Sequence, residues 1–219
     1  MAATLYEMDM VVVERMLRDR GLSEYRLFPD PRTTPPLLQH LQADFHLLGV
    51  AMIPPTATCY QFPAEEGASV FDGFGFEQAK AHERLCIVHS LQVGKPTKPK
   101  LLKAFVEHMK SLAIQHVILF SDKKICNGGL ISTCTDLVLE SLSTAQKTVV
   151  DYVLVDPHRR LTEEEAAVVK ATYGELRLKL LTSDAVSSYY GFPPGCVVEI
   201  LMDNDSCGQL PEYRVVTAC

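Results

Sequence analysis

The sequence lacks the paired cysteines of a structural zinc site. Its seven cysteines, at 59, 86, 126, 134, 196, 207 and 219, include no CxxC. Zinc folds need closely spaced Cys or His ligands, so the spacing argues for buried reduced thiols acting as small hydrophobes. No apolar run approaches the roughly 18 residues needed to span a bilayer. Glu7 and Asp9 precede Val11, Val12 and Val13 where a secretory signal would carry a basic stretch, so an intracellular protein is expected. There is no Walker loop, no HExxH, no GxSxG elbow around Ser187 and Ser188, no internal repeat and no low-complexity tract. Asp72 leads into a GxG at Gly73 and Gly75, but without a third glycine or a preceding strand it is no nucleotide fingerprint. The seven histidines are scattered and read as surface or satisfied core residues.

What remains is ordinary globular composition: 219 residues, 47% hydrophobic and 22% charged, enough for one large or two small domains. The net charge of −6 is unlike a free-standing DNA binder, which is usually basic. The charge is uneven. Residues 93–124 carry seven lysines against Glu107 and Asp122, a net of +5, whereas residues 151–219 carry six basic against eleven acidic residues, a net of −5. The basic stretch could face a polyanion, although a solvated helix face is the commoner meaning of such a run.

Apolar residues at Leu5, Met8, Val12, Val13, Met16 and Leu17 predict an amphipathic helix stopped by Gly21. The proline-rich stretch 29–36 is loop, residues 37–48 read as a short helix, and residues 54–69 as irregular chain. Residues 84–89 predict a strand. Leu101, Leu102, Phe105, Val106, Met109 and Leu112 predict a helix over 99–113, and residues 115–121 a second strand. Asn127, Gly128 and Gly129 break the chain. Residues 130–146 read as a helix, and an extended stretch begins at 147. Strand and helix in alternation imply an α/β N-terminal domain over 1–149 with a partly parallel sheet and right-handed crossovers.

The last seventy residues read as a separate α+β domain over 150–219. Residues 151–155 predict a strand, 156–161 a linker, 191–195 a turn, and 196–201 and 213–216 two more strands. Thr162 and Glu165 match a capping box, with Leu161 and Ala166 at the staple positions and Gly174 at the far end. Glu163, Glu164 and Glu165 therefore read as helix-start residues suited to the dipole, not as catalytic acids. Asp122 and Lys124 stand two apart after a strand, as in some metal-dependent nucleases. Such chemistry needs a second carboxylate. Glu83 at a strand edge and Asp72 are the only ones on offer, so a polar strand exit is the better reading.

Several of these short motifs occur together, in order. Arg18, Asp19, Arg20 and Gly21 close the first helix. Residues 87–90 and 116–121 flank the lysine-bearing helix. Leu154, Val155, Pro157 and His158 precede Leu161, Thr162, Glu164 and Glu165. Tyr189–Phe192, Gly195–Ile200 and Tyr213–Val216 follow. In this the chain resembles the jaw and assembly subunit shared by the eukaryotic nuclear RNA polymerases, which has an archaeal homologue. The C-terminal likeness is the more specific. The resemblance implies an N-terminal jaw domain, a C-terminal assembly domain and no catalytic, metal or cofactor residues. It implies a non-catalytic part of a DNA-directed RNA polymerase in the nucleus, seated on the largest subunit beside downstream double-stranded DNA. It implies no membrane partner and no homo-oligomer. By resemblance, Asp184, Tyr190, Gly191, Asp205, Ser206, Gly208, Tyr213 and Arg214 lie at the subunit interface. Lys95, Lys98, Lys123 and Lys124 are the expected DNA-proximal residues.

The chain also departs from that family. Leu180-Leu181 and Asp184-Ala185 stand where the family has Leu-Pro and Asp-Pro. Residues 202–208 replace an Arg-Pro-Ser-Glu-Thr-Ala-Gly loop, keeping an acid at Asp205, a hydroxyl at Ser206 and the glycine at Gly208, and Gln209 replaces a further arginine. This divergence points to a paralogue fitted to one polymerase class, polymerase I and the nucleolus among the candidates. Two other readings stay open: a nuclease built on Asp122 and Lys124, and an adaptor acting outside polymerase.

Overall fold

The computed structural model describes residues 2–22, 24–28, 41, 44–52, 84–90, 98–112, 114, 116–121, 137–143, 149–204 and 206–218, with backbone alone for residues 2–9. The chain divides into two units, Met1–Ala145 and Gln146–Cys219. Both are mixed sheets with helices.

The N-terminal unit opens with α1, Ala2–Asp19. Its end is set as the glycine at 21 predicts. Leu22 N–H bonds to the Leu17 carbonyl and Gly21 N–H to Arg18, both at 2.9 Å, with Gly21 at φ 75°. This double closure of the last turn needs a left-handed residue. Just past the helix, Arg20 reaches Glu140 at 2.8 Å, with the Arg20 side chain 8% exposed.

The strands are β1 (Tyr25–Leu27), β2 (Phe45–Met52), β3 (Arg84–Ser90), β4 (His116–Ser121) and β5 (Val138–Ser143), adjacent in that order. The first three run antiparallel, while β3, β4 and β5 are parallel, with α2 (Pro99–Ser111) between β3 and β4. Every residue of β4 is buried, as a strand covered on both faces requires. Helix α2 buries Leu102, Phe105, Val106 and Met109 against Phe45, Leu47, Val50, Cys86, Val88, Val117 and Leu119. Phe45 and Phe105 meet at 4.4 Å between ring centroids. Truncating a core aromatic such as Phe105 costs about 3–5 kcal/mol.

Two expected helices are corrected. The one expected over 37–48 is strand β2 from Phe45 on, and the one expected over 130–146 is strand β5 at 138–143. In both cases pairing with a buried neighbour outweighs local preference. The apolar side chains of β2 escape a plain alternation because of a bulge. Its register jumps from Leu47↔Val88 to Gly49↔Ile87, leaving Leu48 as the extra residue. The extra residue switches parity, so Phe45, Leu47 and Val50 all join the core under α2. The proline-rich stretch 29–36, residues 54–69 and the break at 127–129 lie outside the described residues.

The C-terminal unit holds β6 (His158–Arg160), α3 (Glu163–Tyr173), β7 (Lys179–Leu181), α4 (Ala185–Tyr190), β8 (Val197–Asn204) and β9 (Gly208–Thr217). Its sheet runs β6-β8-β9-β7, antiparallel except where β7 joins β9. Two expectations fail here as well. Residues 156–161 are not a linker, because β6 pairs with β8. Residues 151–155 are not a strand. A 3₁₀ turn at 149–151 leads into bends, and Tyr152, Val153 and Leu154 are 62%, 100% and 94% exposed. Their backbone closes on itself instead, Tyr152 N–H to Val149 and Val155 N–H to Tyr152.

Gly49 supplies a test of this packing. A Cβ there would lie 2.7 Å from Leu27 Cδ2 and 2.9 Å from the Arg26 carbonyl oxygen. The Leu27 side chain can swing away, but the carbonyl belongs to β1 and cannot. Gly49→Ala is expected to destabilise the N-terminal unit by about 1–3 kcal/mol, read from denaturant unfolding. An unchanged midpoint would contradict the close approach of β1 and β2.

Candidate functional site

The C-terminal unit gathers most of the residues singled out from the sequence. Its helix α3 begins at the predicted capping box. Thr162 Oγ1 accepts the Glu165 N–H at 3.2 Å, and Glu165 Oε2 accepts the Thr162 N–H at 2.9 Å. Leu161 is buried and packs with Ala166, Val169 and Val197, which fixes the angle at which the chain enters the helix.

An arginine that the sequence hides inside an apparent linker locks this corner. Arg159 sits opposite Glu199 in the β6–β8 pairing. Its Nη1 donates to both Glu165 oxygens at 2.9 and 3.0 Å, and its Nε and Nη2 donate to Glu199 Oε2 at 3.1 and 2.9 Å. The Tyr213 hydroxyl donates to Glu199 Oε1 at 3.3 Å, and its ring lies 5.6 Å from that of Tyr173. One guanidinium thus ties the start of α3 to β6 and β8, and the tyrosine pair ties its end to β9. The cation beside it, with the Thr162 N–H, holds the Glu165 carboxyl below its ordinary value. Burial first, and then the Glu199 carboxylate, push the Tyr213 phenol up. The Arg159 side chain is 54% exposed, so solvent screens both ion pairs and the gain is chiefly in geometry. A polar triplet at 158–160 has no apolar alternation. Only its register with β8 exposes its role.

The second corner is α4. Asp184 Oδ1 accepts from the Val186 and Ser187 N–H groups at 2.9 and 3.2 Å. Gly191 closes the helix at φ 65°, ψ 38°, a conformation that suits glycine. Tyr189 is buried, and Tyr190 stacks on Phe192 at 5.1 Å. Beyond these corners β8 and β9 continue alone as a two-stranded ribbon, paired from Leu201↔Pro211 to Asn204↔Gly208. At its tip Asn204 Oδ1 accepts from the Ser206 N–H at 2.9 Å, and Gly208 takes φ 76°.

The interface residues expected from the resemblance therefore divide. Asp184, Tyr190 and Gly191 lie at α4, and Ser206 and Gly208 lie at the ribbon tip. Tyr213 faces α3 through Glu199, while Arg214 pairs with Glu212 one step along β9, hence on the opposite face. Of the lysines, Lys98 is exposed at the start of α2. Lys95, Lys123, Lys124, Asp122 and Asp205 lie outside the described residues, as do Cys59, Cys126, Cys134 and Cys219. Cys86, Cys196 and Cys207 form no disulfide among the described residues, and burial pushes the Cys86 thiol up to about 12. Among the described residues no three His, Cys, Asp or Glu side chains converge as a metal site.

Residues 147–216 match the family model described as RNA polymerase Rpb5, C-terminal domain. The match takes in both corners and the ribbon beyond them. Over these residues the chain is similar to the C-terminal domain of the Rpb5 subunit of RNA polymerase. No curated protein matches it. The matched residues, with the capping box, the Arg159 corner, α4 and the β8–β9 ribbon, all lie in the C-terminal unit, and the likeness points to transcription.

The Arg159 corner predicts a pH dependence. A carboxyl held below its ordinary value contributes stability that is fully present above that value and lost as pH falls through the folded value. The ordinary value is 4.5. The stability gap between the native protein and Glu165→Gln should hold above pH 4.5 and close below it, as followed by unfolding across the acid range. A gap that persists unchanged to the lowest pH would contradict the pairing.

Proposed function

We propose that the Rpb5-type unit anchors the chain to the largest subunit of a nuclear RNA polymerase, and that the N-terminal unit forms part of the lower jaw near downstream DNA. The role is structural, not catalytic. The observation that carries the reading is the family match over 147–216, the unit whose ribbon extends past its own sheet. Strands without a neighbour are suited to contact another chain. Asp184, Tyr190, Gly191, Asp205, Ser206, Gly208, Tyr213 and Arg214 are proposed at or beneath the seat. Asp184 and Tyr213 act there by shaping the surface, since their polar atoms are already engaged. Of the diverged residues 202–208, those described lie towards the ribbon tip, which favours a paralogue matched to one polymerase class.

On the jaw side, Lys98 at the N-cap of α2 and Lys100 and Lys103 within it are exposed, with Lys103 3.9 Å from Glu107. Lys95, Lys123 and Lys124 extend this basic stretch in sequence. A jaw needs only sequence-independent phosphate contacts, because the rest of the polymerase supplies affinity and register. That is compatible with a chain whose net charge is −6.

Purification of the tagged chain from its native cells should recover large polymerase subunits in near-stoichiometric amount, and their identity names the class. Their absence at low salt would remove the assembly reading and return attention to an adaptor or to the Asp122 and Lys124 nuclease. Within the assembled enzyme, reversing Lys123 and Lys124 to glutamate should weaken downstream DNA binding. Removing one lysine–phosphate pairing lowers the slope of log affinity against log salt by about 0.9. An unchanged slope in the double variant would refute the DNA-contact assignment.

A further inference from the structure

Strand β7 ends the C-terminal sheet, and its outer side has no neighbouring strand among the described residues. The bonds on its inner side are accounted for. Val215 N–H reaches the Leu178 carbonyl at 3.0 Å, and Thr182 N–H reaches Thr217 at 2.9 Å. In a parallel pair this register points residues 178, 180 and 182 inward and leaves Lys179 and Leu181 pointing outward. The Leu181 carbonyl is taken by the Asp184 N–H at 3.0 Å. The Lys179 amide, the Lys179 carbonyl and the Leu181 amide therefore form a short outward row.

The two sides of this edge differ chemically. On the α3 side, Lys179 lines a cleft with Lys170, Gly174, Glu175, Leu176, Val215 and Thr217. On the other side, Leu180 belongs to the Phe192 cluster, and Leu178, in step with it, is 50% exposed. Lys170, Arg177 and Lys179 outweigh Glu175 here, inside a domain with a net charge of −5. The α3 side of the edge thus carries Lys170 and Lys179 with the half-exposed Leu181 in step with Lys179, and the other side is apolar, with outward backbone groups between that meet no strand among the described residues.

We propose that β7 is a strand-addition site for an extended peptide segment of a partner protein, in which acidic and apolar residues alternate. Backbone bonds to Lys179 and Leu181 hold the added strand. Its acidic side chains meet Lys170 and Lys179 over the cleft, and its apolar side chains cover Leu178. The period of two that strands impose is matched by the two unlike sides of the edge. Apart from neighbouring Asp184, Tyr190 and Gly191, this surface shares no residue with the proposed seat on the largest subunit, and its test does not require polymerase.

The test uses the full chain, isotopically labelled, titrated at low salt with a short capped peptide of alternating glutamate and valine. Amide signals of Lys179 and Leu181 should move, with those lining the cleft. Lys170→Glu with Lys179→Glu should weaken binding about tenfold and create binding to the lysine–valine counterpart, which the native chain refuses. Leu181→Pro, which removes one outward amide, should weaken binding without the charge change, with a thermal melt confirming that it folds. No shift at low salt, shifts confined to other surfaces, equal binding of both peptides, or self-association through β7 in place of peptide binding would each overturn the proposal.

Discussion

Strand β8 must be buried on both of its faces, and the C-terminal unit is organised around that requirement. Val197 and Val198 are adjacent, point in opposite directions, and are 1% and 0% exposed. Each must be covered by a different layer. Val197 is met by Leu161, Val169 and Ala166 of the α3 side, and Val198 by Leu180, Phe192 and Val216 of the other. Burying each side chain is worth about 1.5–3 kcal/mol, more than an ion pair at the surface. The capping box, the Arg159 corner and the α4 caps set the positions of these two covers. They contribute less energy than the core and more of its direction.

The same constraint ends where the ribbon begins. Strand β6 pairs with β8 only as far as Ile200, and the Leu201 N–H takes the Pro157 carbonyl as the last bond on that side. Past it, Asp203 and Asn204 are exposed and β8 has β9 as its only partner among the described residues. A domain that buries one half of a strand on both faces and projects the other half into solvent has a core and a surface for contact in the same hairpin. It is at the tip of that hairpin that the sequence departs most from the pattern it otherwise resembles.

Legibility in the sequence follows from which interactions are local. The end of α1 at Gly21, the capping box at Thr162 and Glu165, and the apolar runs of β3 and β4 all depend on residues within a few positions, and each is where the sequence places it. Residues 138–143 and 45–48 read as helix because their apolar spacing tolerates a turn of 3.6, but they are strands because a buried neighbour accepts their backbone. Residues 151–155 have the composition of a strand and pair with none of the described strands. Arg159 cannot be recognised without knowing that Glu199 lies across from it. Of the expected site, the α4 and ribbon residues can be placed in the fold, whereas three of the four lysines expected near DNA fall outside the described residues.

The claim on which the account rests is that the Rpb5-type unit is the part by which the chain joins a polymerase. Electron cryo-microscopy of polymerase purified through the tagged chain tests it most directly. The account predicts density for residues 147–216 seated on the largest subunit, with the ribbon tip and α4 at the contact. Density for this unit on another subunit, or particles in which only the N-terminal unit makes contact, would contradict it.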